Sequence, residues 1–159
     1  MKLQILAIGK SRAGAAQDLW TDYADRIEKL SPSLGFRKFE LREFTESDRD
    51  KPSARKAREA EILIEAAKQS VIIALDERGR DFPSQDFAAR LGTWRDDGTD
   101  TLTFVIGGPD GLDASMRKKA RQTLCFGKQT WPHLMVRAML AEQIYRAMTI
   151  LAGHPYHRQ

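Results

Sequence analysis

The stretch Phe104-Val105-Ile106-Gly107-Gly108-Pro109-Asp110-Gly111-Leu112 constrains this chain more than any other. Its apolar half reads as a strand buried in a sheet, and its second half as the turn into which that strand empties. Glycine lets a ligand approach the main chain closely, and Pro109 stiffens the loop so that ordering it costs less entropy. A tight turn after a core strand would use the same residue types, so this stretch alone leaves both readings open. A second loop of similar character, Phe126-Gly127-Lys128-Gln129-Thr130-Trp131-Pro132-His133, follows one short segment later. Two such loops at neighbouring strand ends imply one site.

The remaining chain supplies strands and helices in alternation. Leu3–Ile8 is an apolar run ending at Gly9, as expected of a strand buried on both faces. Leu19, Trp20, Tyr23, Ile27 and Leu30 fall near helical spacing, and Ser31-Pro32 stops the pattern. Phe36, Phe39, Leu41 and Phe44 mark a partly exposed second strand, followed by a charged loop over 45–53. Ala60, Leu63, Ile64 and Ala67 predict an amphipathic helix with Arg55, Lys56 and Arg58 at its start. Val71–Leu75 is a third buried strand, closed by the polar loop Asp76–Arg80. Ser84 is expected to cap a third helix that turns Phe87, Ala88, Leu91 and Trp94 inward and ends at Asp96-Asp97-Gly98. Leu102–Ile106 is a further strand, and Leu112–Arg121 a short basic helix. The last helix, Val136–Ala152, is so apolar that it must be covered on more than one side, and a second copy of the chain is the simplest second cover. Five strand-like segments interleaved with helices predict an α/β fold with a mainly parallel sheet, in one domain over 1–159.

Several chemistries drop out. The single cysteine, Cys125, permits no intramolecular disulfide and no CxxC site. The N-terminus lacks a signal-peptide pattern, and no apolar stretch approaches the roughly twenty residues that span a bilayer, so a cytoplasmic protein off the membrane is expected. A dinucleotide fold would place G-x-G-x-x-G after the first strand, whereas these glycines follow a late one. A P-loop would need glycine and Ser or Thr where Gln122 and Gln129 stand. His154 and His157 have no nearby cysteine or carboxylate to complete a metal site. The net charge of +4, from 26 Lys and Arg against 22 Asp and Glu, is compatible with a polyanionic partner without requiring one. In open α/β sheets the ligand sits beyond the carboxyl ends of the strands, where both glycine-bearing loops are expected.

These motifs, taken in order, carry a resemblance. The Lys-Leu-Gln-Ile-Leu-Ala-Ile-Gly start, Ala-Leu-Asp at 74–76, Val-Ile-Gly-Gly-Pro-Asp-Gly-Leu at 105–112, Phe-Gly-Lys-Gln-Thr-Trp-Pro-His at 126–133, Val-Arg-Ala-Met-Leu-Ala-Glu-Gln-Ile-Tyr-Arg-Ala at 136–147 and the terminal His-Pro-Tyr-His-Arg are similar to those of the RlmH (YbeA-like) family. That family belongs to the SPOUT class of methyltransferases. The resemblance implies helices on both faces of the sheet and a C-terminal trefoil knot, which no pattern argument predicts because chains almost never thread loops. It also implies a homodimer, S-adenosylmethionine as cofactor, no metal, and methylation of N3 of a pseudouridine in 23S ribosomal RNA. For such an enzyme the modest charge of +4 points to the assembled ribosome, whose surface would supply much of the specificity. Carried over position by position, Leu75, Gly107, Phe126, Gly127, Lys128, Gln129, Thr130 and Trp131 match cofactor-binding positions. Family members usually have serine where Gly127 stands, so a hydroxyl is lost there.

Displacement at a sulfonium methyl needs donor and acceptor aligned and a group that takes the acceptor's proton. His133 and Glu142 are the candidates, although Glu142 is also spaced to pair with Arg146 within its helix. Arg137 is suited to anchor a carboxylate or phosphate, and Tyr156, His157 and Arg158 to grip RNA by stacking and charge. The alternative is a nonenzymatic ribosome- or RNA-binding dimer that has kept the fold. Two intact cofactor loops speak against it. An enzyme acting on a small metabolite is disfavoured by the basic aromatic tail.

Overall fold

The structure is a computed structural model and describes residues 1–157, so the RNA contact expected of Arg158 lies outside the described residues. The elements in chain order are β1 (Lys2–Ile8), α1 (Ala15–Leu30), a 3-10 turn (Ser31–Leu34), β2 (Lys38–Phe44), α2 (Pro52–Ala66), β3 (Val71–Arg80), α3 (Ser84–Asp96), β4 (Thr101–Ile106), α4 (Ala114–Lys119), β5 (Gln122–Leu124) and α5 (His133–Leu151). They form one five-stranded sheet, in the order β2-β1-β4-β3-β5, with every strand pair parallel.

The period of two in the central strands divides the core into two layers. Leu3, Ile5, Ala7, Ile73, Leu75, Leu102, Phe104 and Ile106 face α1, α3 and α5. Leu6, Ile8, Ile72, Ala74 and Val105 face α2 and α4. The expected helices on both faces are therefore present, and continuous apolar runs such as Leu3–Ile8 arise because the sheet is covered twice. β2 is an edge strand in which only Phe39 is fully buried, which is why its pattern in sequence is diluted by charge.

Two sequence expectations need correction. The polar stretch Asp76–Arg80 continues β3 instead of leaving it, because Arg80 pairs with Leu124 across an irregularity in register and its carbonyl accepts the Cys125 amide at 3.0 Å. Ser84 is the first residue of α3 and not its cap: Pro83 holds the cap position and the Ser84 hydroxyl donates to Gln143 Oε1 at 3.2 Å. The segment following α4 forms β5, a strand of three residues, too short for periodicity to reveal.

Candidate cofactor and acceptor site

Parallel pairing brings three strand ends into line. Leu75 lies opposite Ile106 on one side and Leu124 on the other. Past these side chains the chain turns into the two glycine-bearing loops, and between the loops lies a cavity of about 650 Å³. That volume is in the range of small-molecule and cofactor pockets.

The first wall is the loop after β4. Gly108 and Gly111 form an antiparallel bridge, and the Gly111 amide donates to the Gly108 carbonyl at 2.9 Å. The turn is so tight that a Cβ on Gly107 would stand 2.8 Å from the Gly111 carbonyl carbon, so only glycine fits. The second wall follows β5. Gly127 adopts φ 98°, and the Trp131 indole N–H donates to the Phe126 carbonyl at 3.2 Å, closing the loop on itself. Of the eight positions matched to cofactor binding, Leu75, Gly107, Phe126, Gly127, Gln129, Thr130 and Trp131 line this cavity. Lys128 is exposed and does not line it.

His133 opens α5 at the cavity wall, half-buried, with Pro132 in the cap position. Its Nε2 and the Glu46 Oε1 both stand 3.1 Å from where a Cβ on Gly9 would sit, so the imidazole faces the end of β1. Burial, and then the Arg137 guanidinium, hold the His133 pKa below the ordinary histidine value, only partly countered by Glu46. A neutral imidazole at neutral pH is a proton acceptor.

The other chemistry-bearing residues lie elsewhere. Arg137 is 2 % exposed and directs its guanidinium inward: Nη2 donates to the carbonyls of Ile8 and Gly9, each at 2.8 Å, and Nη1 to Glu43 Oε1 at 2.5 Å. The carboxylate it anchors is thus the chain's own, and the reading of Arg137 as an RNA contact is corrected, because a phosphate cannot reach a side chain buried at the end of β1. Glu142 lies outside the cavity, in an apolar groove of about 350 Å³ shared by α1 and α5. There it accepts from Arg146 Nη2 at 2.5 Å and from the Tyr156 hydroxyl at 3.1 Å. Tyr156 packs edge-on against Tyr145 at 4.9 Å, and its hydroxyl also meets that of Tyr23 at 3.1 Å. Burial raises the Tyr156 pKa, so this phenol keeps its proton. His133 and Glu142 are not brought together.

Lys56, Asp76 and Asp110 line the cavity without having been read as site residues. Asp76 is held at the rim by Arg117, at 3.3 Å, so one charge of the basic α4 segment is an internal brace. The signal for Asp76 was its place at the end of a buried strand. For Lys56 there was only a basic helix start, which helices at the surface share. Among the described residues no group of three or more His, Cys, Asp or Glu side chains is set to hold a metal ion, and no helix is long and apolar enough to cross a membrane.

Comparison with known proteins agrees with this geometry. The family model described as "Predicted SPOUT methyltransferase" matches residues 1–157. A protein named ribosomal RNA large subunit methyltransferase H from Rhizobium leguminosarum bv. trifolii (strain WSM2304) is 46 % identical over 159 residues, covering 99 % of each chain. One of the same name from Rhodopseudomonas palustris (strain TIE-1) is 49 % identical over 159 residues, again covering 99 % of each. Among solved structures, a "probable methylase family protein" from Haemophilus influenzae Rd KW20 superposes with a TM-score of 0.55 at 14 % identity, covering 99 % of this chain and 70 % of that one. A "probable methyltransferase" from Bordetella pertussis Tohama I gives 0.53 at 15 %, covering 92 % of this chain and 95 % of that one. At such identities the superpositions speak to the fold. The full-length match, the paired glycine-bearing loops and the cavity between them lead to one conclusion: the chain belongs to the SPOUT methyltransferase family, among the large-subunit ribosomal RNA methyltransferases H.

Proposed function

We propose that this protein, as a single-domain homodimer in the cytoplasm, methylates N3 of a pseudouridine in 23S ribosomal RNA on the assembled ribosome, with S-adenosylmethionine as donor. The observation that carries the reading is the cavity at the ends of β3, β4 and β5, lined by seven of the eight positions matched to cofactor binding. Its residues fit such a donor. The apolar floor of Leu75, Ile106 and Leu124 suits an adenine ring, and the main chain of the two loops offers amides and carbonyls to its edge. When bound, the sulfonium supplies an electrophilic methyl group. The chain then has to align the acceptor, exclude water and take up the imide proton.

His133 is the proposed acceptor of that proton, supported by its position on the cavity wall and its lowered pKa. Glu142 is proposed as a positioning residue, since its carboxylate holds Arg146 and Tyr156 in place. The tail residues Tyr156 and His157 are proposed RNA contacts. For His157 the support is a partly exposed side chain in the turn that follows α5. The homodimer is supported by the groove of α1 and α5, where Leu19 and Met135 are 47 % and 46 % exposed. The trefoil knot belongs to the same proposal, supported by a chain that leaves β4, adds β5 beside β3 and returns through α5 against α1 and α3.

The test is calorimetric titration with S-adenosylmethionine, followed by transfer of labelled methyl groups to ribosomes and to free 23S RNA. Binding, with methylation confined to ribosomes, is the expected result. Equal labelling of free RNA removes the ribosome from the proposal, and a folded protein that binds no donor leaves the nonenzymatic RNA-binding dimer.

A further inference from the structure

The glycine loop is tied to the rest of the molecule through Asp110, one of the residues that line the cavity. Asp110, near the tip of that loop, accepts two hydrogen bonds from Arg55, Nε to Oδ2 at 2.7 Å and Nη2 to Oδ1 at 3.2 Å. The third nitrogen of the same guanidinium, Nη1, donates to the carbonyls of Arg49 at 3.0 Å and Asp50 at 2.9 Å. One side chain thus joins the loop after β4, the first turn of α2 and the connection that leads into it. The pair holds the Asp110 pKa below the usual carboxylate value. One turn along α2, Glu59 is 4 % exposed, accepts the Ser47 amide at 3.0 Å and lies beneath Gly108, whose Cβ would stand 3.4 Å from its Oε2. The outer side of this cavity wall therefore rests on α2, while only its root rests on the sheet.

We propose that Arg55 and Asp110 form a positioning pair that holds the glycine loop in its binding shape and so sets the affinity for the cofactor. The inference rests on reading the cavity as the S-adenosylmethionine site. A bidentate guanidinium–carboxylate contact fixes direction as well as distance, which a loop of three glycines and a proline cannot do for itself. Both side chains are more than a quarter exposed, 28 % and 27 %, so water screens the pair and it adds little to global stability. Its effect is to pre-organise: a loop already in place spends less of the ligand's binding energy on being ordered.

The experiment compares the unaltered protein with Arg55→Gln, Asp110→Asn, the double variant and Arg55→Lys. Each is titrated with S-adenosylmethionine in a calorimeter, melted thermally and assayed on ribosomes. Each neutral single variant is expected to bind about tenfold more weakly, and the double no more weakly than either, since the two groups act as one unit. Melting temperatures stay within about 2 °C. For Arg55→Gln the KM for the cofactor rises while kcat at saturation holds, and Arg55→Lys, which keeps the charge but not the fork, falls between. Unchanged affinities overturn the proposal. So does weak binding by Asp110→Asn alone, which would mean that Asp110 touches the ligand directly and Arg55 is incidental. If the unaltered protein does not bind, the cofactor reading fails and takes the positioning pair with it.

Discussion

The cavity at the strand ends and the groove between α1 and α5 both touch Phe126, yet they are built from different material. The cavity is walled by two loops whose shape depends on main-chain closeness, as at Gly107, and on a few polar ties such as Arg55 to Asp110. The groove is lined by helix side chains, Ala15, Ala16, Leu19, Met135, Ala138 and Met139 among them, with Glu142 and Gln143 at one side. A hollow made of backbone is sensitive to any added atom. A hollow made of apolar side chains tolerates a change of shape and is spoiled by charge. Changes in the one should therefore register in cofactor binding, and changes in the other in assembly.

Four variants put that separation at risk. The largest effect is expected at Arg137, which lines neither hollow but sits in α5 between His133 of the cavity and Ala138 of the groove. Arg137→Ala removes the clamp that ties α5 to the end of β1 and leaves the Glu43 carboxylate without its guanidinium, a loss of about 3 kcal/mol that denaturant unfolding measures. A loss under about 1 kcal/mol would mean that α5 is seated by its apolar face alone. Gly107→Ala comes next. With the added methyl 2.8 Å from the Gly111 backbone, the loop must shift, and affinity for S-adenosylmethionine should fall on the order of a hundredfold while the sedimentation coefficient stays that of the unaltered protein.

His133→Ala should lower kcat on the order of a hundredfold with cofactor affinity little changed. The pH profile sharpens the same point. Burial and Arg137 depress the His133 pKa, so the neutral base persists below the ordinary histidine value of about 6.5. Activity should hold as pH falls past that value and drop only when the depressed group is protonated. Stability follows the same sign: the unfolded imidazole binds protons more readily, so this contribution is complete above about 6.5 and is lost as the solution is acidified. A profile that breaks at the ordinary value in the unaltered enzyme and persists in His133→Ala would assign the proton to another group. The smallest effect is expected in the groove. Leu19→Glu should weaken self-association about tenfold in analytical ultracentrifugation, from the loss of one apolar contact of roughly 1 to 2 kcal/mol. If it also weakens cofactor binding, Phe126 transmits between the two hollows and the separation fails.

Much of this was legible beforehand, and the reasons differ by residue. Leu75, Gly107 and the loop from Phe126 to Trp131 were named through the resemblance carried by ordered motifs, since a glycine-rich strand end taken alone is equally a plain turn. The buried runs of β1, β3 and β4 were legible because a parallel sheet covered on both faces leaves no polar alternation. β5 was not, since three residues carry no period, and Asp76–Arg80 was misread because extended pairing to Leu124 overrode a polar, turn-like composition. Arg137 was given to RNA because a sequence does not say which way a guanidinium points. Its helix turned it toward the carbonyls of Ile8 and Gly9, more than 120 residues earlier in the chain.

The sequence by itself determined the class of fold, the two loops and, through ordered motifs along the whole chain, the family, because these are carried by local chemistry and by spacing along the backbone. Only the tertiary structure decided which side chains share a site. Pairing β3 with β4 and β5 set Leu75 between Ile106 and Leu124, brought His133 to the cavity and Arg55 to Asp110, and left Glu142 with Tyr156 in the groove. Those partners are separated by up to dozens of residues in the chain, and strand register and helix packing, which act across space, join them.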